Sequence, residues 1–438
     1  MPPKPSNARG EVTAVPEEIT GQARRVVLGH LIWKQTFSAL RHRNFRLFFA
    51  GQLVSLIGTW MQNTAQGWLV YQLTGSKLLL GVVAAVGSAP MMLFSIWGGS
   101  VADRHPKRQI VLCTQITMMI TALVFAALVA SGKIQVWHIM ILAALGGLAM
   151  AFDMPARQAF IMEMTSREDL INAVSLNSSI VNGARVVGPS VAGFLMAHVG
   201  MAMCFFLNGL SFIAVIGGLL MMRLPQFVPH AHSGSALEHA LEGFAYVWSQ
   251  WRLRTILILF ALVGVFGWSY AVMMPAFARD ILQVNERGYG MLLSANGVGA
   301  LLGALTVATV GQRANRRLLV LGGLWVFSAM LLLIAFVKNY HLALLFLGIA
   351  GWGMLLFFST INSLLQTSSS DAMRGRVMGI WALVFGGMTP LGGLEAGTFS
   401  NLFGLRGAIA LGAVVCAVSG LVVWFVVRRM AAAEIKKT

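Results

Sequence analysis

Stretches of about twenty apolar residues recur along nearly the whole chain, each long enough to cross roughly 30 Å of hydrocarbon as an α-helix. Backbone groups find no water inside a bilayer, so only helices or closed barrels span it. The runs lack the residue-by-residue polar and apolar alternation of a barrel strand. Twelve runs fall near 46–72, 78–101, 109–131, 136–154, 171–198, 201–222, 254–277, 288–310, 317–337, 341–364, 376–400 and 406–427. The expected fold is an all-α polytopic membrane protein of about twelve transmembrane helices. Composition agrees, since 57% of residues are hydrophobic and 11% charged, against about a quarter charged in soluble domains.

A net charge of +17 would suggest nucleic acid in a soluble protein, but here its distribution matters more. With the N-terminus in the cytoplasm, 25 of the 32 lysines and arginines fall in inner segments, six in outer loops, and Arg185 alone inside a span. This positive-inside asymmetry predicts cytoplasmic termini and no nucleic-acid partner. Cys113, Cys204 and Cys416 all lie in apolar runs without a CxxC pair, so neither a disulfide framework nor a metal site is indicated. Residues 1–44 are polar and basic and lack a signal-peptide core, so the first span is expected to act as an uncleaved insertion signal. An interfacial helix around Ile32 to Phe45 is also expected.

The longest internal connection, 224–250, begins with a Pro/His/Ser/Gly stretch and continues as an amphipathic helix from Ala236 to Trp251. It reads as a linker between two halves. The expected organisation is a basic segment 1–45, a six-helix half 46–223, a linker 224–252, a second six-helix half 253–428 and a tail 429–438. The halves resemble each other: Gly81 precedes Arg108 by 27 residues, and Gly290 precedes Arg317 by 27. Asp169 stands 20 residues before Pro189, and Asp371 19 before Pro390. Duplication of this kind builds many transporters, with the substrate site at the repeat interface.

The most informative segment is Gly99-Ser-Val-Ala-Asp103-Arg104-His-Pro106-Lys107-Arg108, between the second and third spans. A small residue at a helix end permits close approach of a neighbour. An aspartate there can meet a helix N-terminus or an arginine, and the basic cluster suits an anionic leaflet. The segment resembles the Gly-x-x-x-Asp-Arg-x-Gly-basic-basic signature of the major facilitator superfamily, with Pro106 in place of the second glycine. Further segments, in order, are similar to the branch containing the enterobactin exporter and related drug–proton antiporters. They are Arg41-His-Arg-Asn-Phe45, Gly58-Thr-Trp60-Met-Gln62, Trp68-Leu-Val-Tyr-Gln-Leu-Thr74, Arg167-Glu-Asp-Leu-Ile-Asn172, Ala184-Arg185-Val-Val-Gly188-Pro189 and Arg374-Gly-Arg376. The resemblance implies two pseudo-symmetric six-helix halves that rock to give alternating access. It implies that Gly99, Asp103, Arg104, Lys107 and Arg108 gate the inner side against Asp371, Arg374 and Arg376 at the start of the eleventh span. It also implies a bacterial inner-membrane location.

Gly188-Pro189, with Pro390 as its counterpart, is a candidate helix kink, and the Gly-Pro stretch is similar to one associated with exporters. Arg185 and Glu395 stand out as charges deep in spans, where burial is expensive and function is the default hypothesis. Nine residues of offset from the two prolines separate their depths by about 13 Å, so a direct pair is not expected. Glu395, with Asp153, is a candidate proton carrier. Arg185 suits either a packing anchor or an anionic substrate group. Gln62 and Gln66, one turn apart, and Asn63 suit either a polar cavity lining or interhelical bonding. Trp268 is a candidate wall of an adaptable apolar pocket.

No G-x-x-x-x-G-K-[ST], H-E-x-x-H or G-x-S-x-G segment is present, so neither an ATPase nor a hydrolase is indicated, and no cofactor is expected. The reading is a monomeric, proton-coupled secondary exporter of amphipathic small molecules such as drugs, dyes or siderophores, in contact with membrane lipids. A lipid or lysolipid flippase is the rival within transport. A membrane-embedded sensor or intramembrane enzyme is the rival from another class, disfavoured because no soluble output domain and no paired nucleophile and base are seen.

Overall fold

The computed structural model describes residues 37–224, 236–311 and 314–435, and these are helical throughout. A short 3₁₀ turn, Ser38–Arg41, leads into α1 (Arg43–Thr74). Then follow α2 (Lys77–Arg104), α3 (Lys107–Ala130), α4 (Val136–Met164), α5 (Leu170–His198) and α6 (Met201–Leu220). The linker contributes α7 (Ala236–Ser249). The second half contains α8 (Trp251–Ile281), α9 (Glu286–Val310), α10 (Arg316–Phe336) and α11 (Tyr340–Ser368). The final helical stretch, Asp371–Ile435, is divided at Gly404, whose φ of 74° and ψ of 164° belong to no helix. It therefore supplies two spans, α12 (371–403) and α13 (405–435). A positive φ is reached at little cost only by glycine.

Ten helices among the described residues are long and apolar enough to cross a membrane. That number counts α12 and α13 together and omits α1, the least apolar of the long helices, which carries Gln52, Gln62, Asn63 and Gln66. α1 nonetheless packs along α5 and α6 like any other span, giving twelve in two halves of six.

The halves repeat one packing scheme. In the first, α2 lies on α4, α3 on α4 and α6, and α1 on α5 and α6. In the second, α9 lies on α11, and α10 on α11. Gly392 brings α12 onto Val265 of α8, Gly412 brings α13 onto Phe266, and Gly420 brings α13 onto Trp325 of α10. The halves join along α2–α12 and α5–α9. Both seams use small residues, the means by which membrane helices approach closely. Gly393 faces the Gly81 carbonyl, while Gly193 and Gly290 interlock α5 and α9.

Two boundaries differ from expectation in an informative way. α4 runs ten residues beyond 154 through Pro155, with Asp153 and Arg157 paired inside the bundle. α8 contains two π-helical turns, Val263–Gly267 and Phe277–Ile281, a widening common at functional sites and not foreseen from sequence. The amphipathic linker helix is present as Ala236–Ser249. Segments 1–36, 225–235, 312–313 and 436–438 lie outside the described residues, including 32–36 of the expected interfacial helix; the rest of that stretch forms the 3₁₀ turn Ser38–Arg41 and the start of α1.

Candidate functional site

The two faces of the bundle differ. On the face opposite the chain termini, the halves are clasped. Trp68 of α1 donates through Nε1 to Glu286 Oε1 of α9 (3.2 Å) and stacks on Tyr289 at 5.3 Å. The Tyr71 hydroxyl donates to Asp280 of α8, and Lys77 Nζ lies 4.0 Å from the same carboxylate. Below the clasp, Ser190 donates to Ser294 (2.7 Å), which in turn donates to the Val186 carbonyl (2.8 Å). Asp280 and Glu286 were not singled out from sequence. The available signal was that carboxylates are scarce in this chain and these two flank one short loop.

On the terminal face the seam opens. A Cβ at Gly393 would lie 2.9 Å from the Gly81 carbonyl oxygen, and one at Gly386 3.7 Å from Met92 Cα. At Gly379 and Gly375, nearer the start of α12, nothing lies within 4 Å. The expected contact of Asp103 with Arg374 and Arg376 is accordingly not made. Asp103 and Arg104 are exposed. Arg374 pairs with Asp371 (2.6 Å), and Arg376 pairs with Glu242 of α7 (2.9 Å). Tyr246 of α7 also accepts from the Ser370 amide (3.4 Å), so the linker helix braces the start of α12. Lys107 and Arg108 act within their own half: Lys107 pairs with Glu163 of α4 (2.8 Å), and Arg108 donates to the Leu220 carbonyl (3.0 Å). A Cβ at Gly99 would meet nothing within 4 Å; the close approach belongs to Gly98, against the Ala151 carbonyl. Pro106 takes φ −57°, so no left-handed residue is needed in this loop.

Two sequence segments that resembled the family meet each other here. Asp169, at the N-cap of α5, accepts from Arg41 Nε (2.9 Å) and lies 2.6 Å from His42 Nε2, while Asn172 accepts from the Ala39 amide (3.0 Å). Hydrogen bonds from Ser38 and His42, with Arg41 alongside, hold the Asp169 carboxyl at about 2, below the ordinary 3.8.

Between the faces lies a cavity of about 440 Å³. Gln62, Asn63 and Gln66 line it, with Asn208, Tyr289 and Thr389. Asn208 Nδ2 donates to Gln62 Oε1 (2.7 Å), so Gln62 both lines the cavity and ties α1 to α6. Arg185 stands on the α5–α9 seam. Its guanidinium lies 5.8 Å from the Trp60 ring and 5.5 Å from the Trp268 ring, one tryptophan from each half. Its hydrogen bond goes to Asn296 Oδ1 (3.3 Å), and Asn296 donates on to the Tyr270 hydroxyl (2.8 Å). No carboxylate pairs with Arg185 among the described residues. Trp60 was missed as its partner because only folding brings α1 across α5.

The sequence set apart Arg185 and Glu395 alone as deep charges, but Asp153 and Arg157 are also held inside the bundle. Asp153, fully buried, accepts from Thr114 (2.7 Å) and Gln115 (3.0 Å) of α3 and pairs with Arg157, which donates on to Gln52 (2.7 Å). The i,i+4 spacing closes this pair on one face of α4. Glu395 differs. Both of its carboxylate oxygens are buried without a hydrogen-bond partner. The neighbouring Ser269 hydroxyl donates to the Phe266 carbonyl (2.8 Å) instead. Glu395 lies beside Ser269 of α8 and Cys416 of α13, whereas Arg185 lies against Trp268 of α8.

Gly188 and Pro189 lie inside the continuous helix α5, and Pro390 inside α12. Gly188 admits Ile57 and Trp60 of α1, and the Pro189 carbonyl meets Gly290 of α9, so the motif packs helices on both sides. No group of three or more metal-binding side chains is found among the described residues.

The family described as transmembrane secretion effector matches residues 34–437. The multidrug efflux pump Tap of Mycolicibacterium fortuitum is 27% identical over 350 residues, 77% of this chain and 85% of its own. The staphyloferrin A transporter of Staphylococcus aureus is 23% identical, covering 88% and 96%. The enterobactin exporter EntS of Shigella boydii is 25% identical, covering 84% and 92%. Among solved structures, an inward-facing bacterial homologue of the human lysosomal transporter Spinster superposes with TM-score 0.72 at 14% identity, covering 88% and 97%. The nucleoside transporter NupG superposes with TM-score 0.68 at 15% identity, covering 88% and 98%.

Proposed function

The chain belongs to the transmembrane secretion effectors of the major facilitator superfamily, transporters rather than enzymes, and on that premise we propose that it exports amphipathic small molecules by proton-coupled alternating access. The observation that carries this reading is the asymmetry of the seam: a clasped face at Trp68–Glu286 and Tyr71–Asp280, and an open face where α2 and α12 part. The excess of Lys and Arg on the open face supports reading it as the cytoplasmic side of a bacterial inner membrane, with both termini there. A seam that opens toward the cytoplasm suits loading for export. The relatives named as drug and siderophore exporters support substrates of that class.

The contacts support the following roles. Gln62, Asn63 and Gln66 offer hydrogen bonds along the cavity wall. Arg185, between Trp60 and Trp268, offers charge and two aromatic faces to a substrate ring or anion. On closure of the cytoplasmic side, Asp103 engages the start of α12, drawing Arg374 and Arg376 from Asp371 and Glu242. Glu395 carries the proton: a carboxyl with no donor for either oxygen is buried at least cost when protonated. Asp153 is the second candidate, but Arg157 already balances its charge. One proton moving inward is worth about 2.3 kcal/mol per 100 mV, enough to drive a solute outward without nucleotide.

The test is the monomeric protein in liposomes under an imposed pH gradient, with amphipathic dyes, antibiotics and siderophores, wild type beside Glu395→Gln. Uphill movement in wild type and only downhill movement in the variant supports the coupling role. Equal uphill transport by the variant removes Glu395 as the carrier. Movement of fluorescent lipid alone replaces the exporter reading with a flippase.

A further inference from the structure

A second cavity, of about 710 Å³, opens in the C-terminal half at the terminal face, between the ends of α8, α10, α11 and α13. Its rim carries Arg252, Arg317 and Arg428, and no aspartate or glutamate is among its lining residues. Its wall is apolar, with Trp325 and Trp424 among aliphatic side chains. Arg428 lies 4.5 Å from the Trp424 ring and Arg252 5.4 Å from that of Trp251, which orients both guanidinium groups at the rim.

The pseudo-symmetric position in the N-terminal half, between α1, α3, α4 and α6, is solid. There Phe45, Phe48, Val111, Phe160, Val215 and Leu219 form one buried cluster, with Phe48 and Phe160 edge to face at 6.3 Å. The repeat therefore packs this site in one half and leaves it hollow in the other. Gly322 of α10 contributes to the hollow, and a Cβ built there would meet nothing within 4 Å. A hollow with an apolar wall cannot be left to bulk water at low cost. Its three rim cations, at the level of the membrane surface, select what fills it.

We propose that this groove binds an anionic phospholipid, with the acyl chains against the apolar wall and the phosphodiester held by Arg252, Arg317 and Arg428. Guanidinium groups match phosphate oxygens in bidentate geometry, and basic pockets between helices at the cytoplasmic level recognise acidic head groups. The lipid would fill in the second half the place that Phe48 and Phe160 fill in the first. Neither the transported substrate nor the coupling ion enters this inference.

Native mass spectrometry of the full-length protein in detergent tests it, with dioleoylphosphatidylglycerol titrated against dioleoylphosphatidylcholine. Wild type should retain phosphatidylglycerol preferentially. The triple variant Arg252→Gln, Arg317→Gln, Arg428→Gln should weaken that retention by about a hundredfold. Gly322→Phe keeps every charge and fills the hollow; it should also lose the lipid, while Lys133→Gln on the other face should not. Equal retention of both lipids, undiminished phosphatidylglycerol binding in Gly322→Phe, or displacement by millimolar inorganic phosphate would each overturn the assignment. The last outcome would identify a free-phosphate site instead.

Discussion

Replacing Gly193 by alanine puts a methyl group 2.8 Å from the Glu286 carbonyl oxygen and 3.1 Å from Arg287 Cα, where ordinary contact begins near 3.4 Å. The obstacles are backbone atoms of the first turn of α9, which no rotamer change can move. Relief requires α5 and α9 to separate by about 0.6 Å at this point, and overpacking of this kind costs roughly 1–3 kcal/mol. Only the state clasped on the face opposite the termini bears that cost. The helix-propensity gain of about 1 kcal/mol for Gly→Ala applies to every state alike and cancels. The clasped state should therefore lose roughly 5- to 150-fold in population. Gly183→Ala, in the same helix with nothing within 4 Å, is the control. Spin labels at Lys133→Cys and Lys338→Cys, exposed residues one in each half, report the separation by pulsed dipolar spectroscopy, with Cys113 replaced by serine. A longer distance population in Gly193→Ala, absent from Gly183→Ala, is expected. Identical distance distributions in the two variants would refute the claim that this seam holds the face closed.

Three further outcomes follow from particular contacts. Asp153→Ala leaves Arg157 buried without its counter-charge and should destabilise the detergent-solubilised protein by about 3–5 kcal/mol, read as thermal unfolding, with partial recovery in Asp153→Ala/Arg157→Met. Asp103→Asn breaks no ion pair in this structure, so its melting temperature should match wild type while transport in liposomes falls; an equal transport rate would remove Asp103 from the gate. Asp169 is held near 2 against an ordinary 3.8, so its stabilisation of the N-terminal turn is complete above about pH 4 and lost as pH falls toward 2. Hydrogen exchange at residues 38–46, corrected for intrinsic rates, should accelerate across that window in wild type. In Asp169→Asn it should already be fast at pH 5, and a wild-type rate there would show that Asp169 does not hold the turn.

Length and hydropathy determined the helical spans, because a bilayer leaves a run of twenty apolar residues few other ways to satisfy its backbone. The linker helix at Ala236 and the duplication were legible for the same reason: each is a pattern along the chain. Local patterns misled where their resolution lay across helices. Asp153 and Arg157 read as the end of a span, yet they lie inside one, since Thr114, Gln115 and Gln52 come from other helices to receive them. Gly99 looked like the point of close approach, but the helix turns its neighbour Gly98 toward α4.

What only the tertiary structure decided is which groups meet and which are left without partners. Sequence set apart Arg185 and Glu395 by type and depth. Folding put Arg185 between two tryptophans from different halves and left both oxygens of Glu395 without a donor. It also assembled the Trp68–Glu286 and Tyr71–Asp280 clasp from residues more than two hundred positions apart. The physical reason is one of range. Transfer from water to lipid is a property of each segment by itself, whereas hydrogen bonds and ion pairs reach only a few ångströms and depend on which helices the seams bring together.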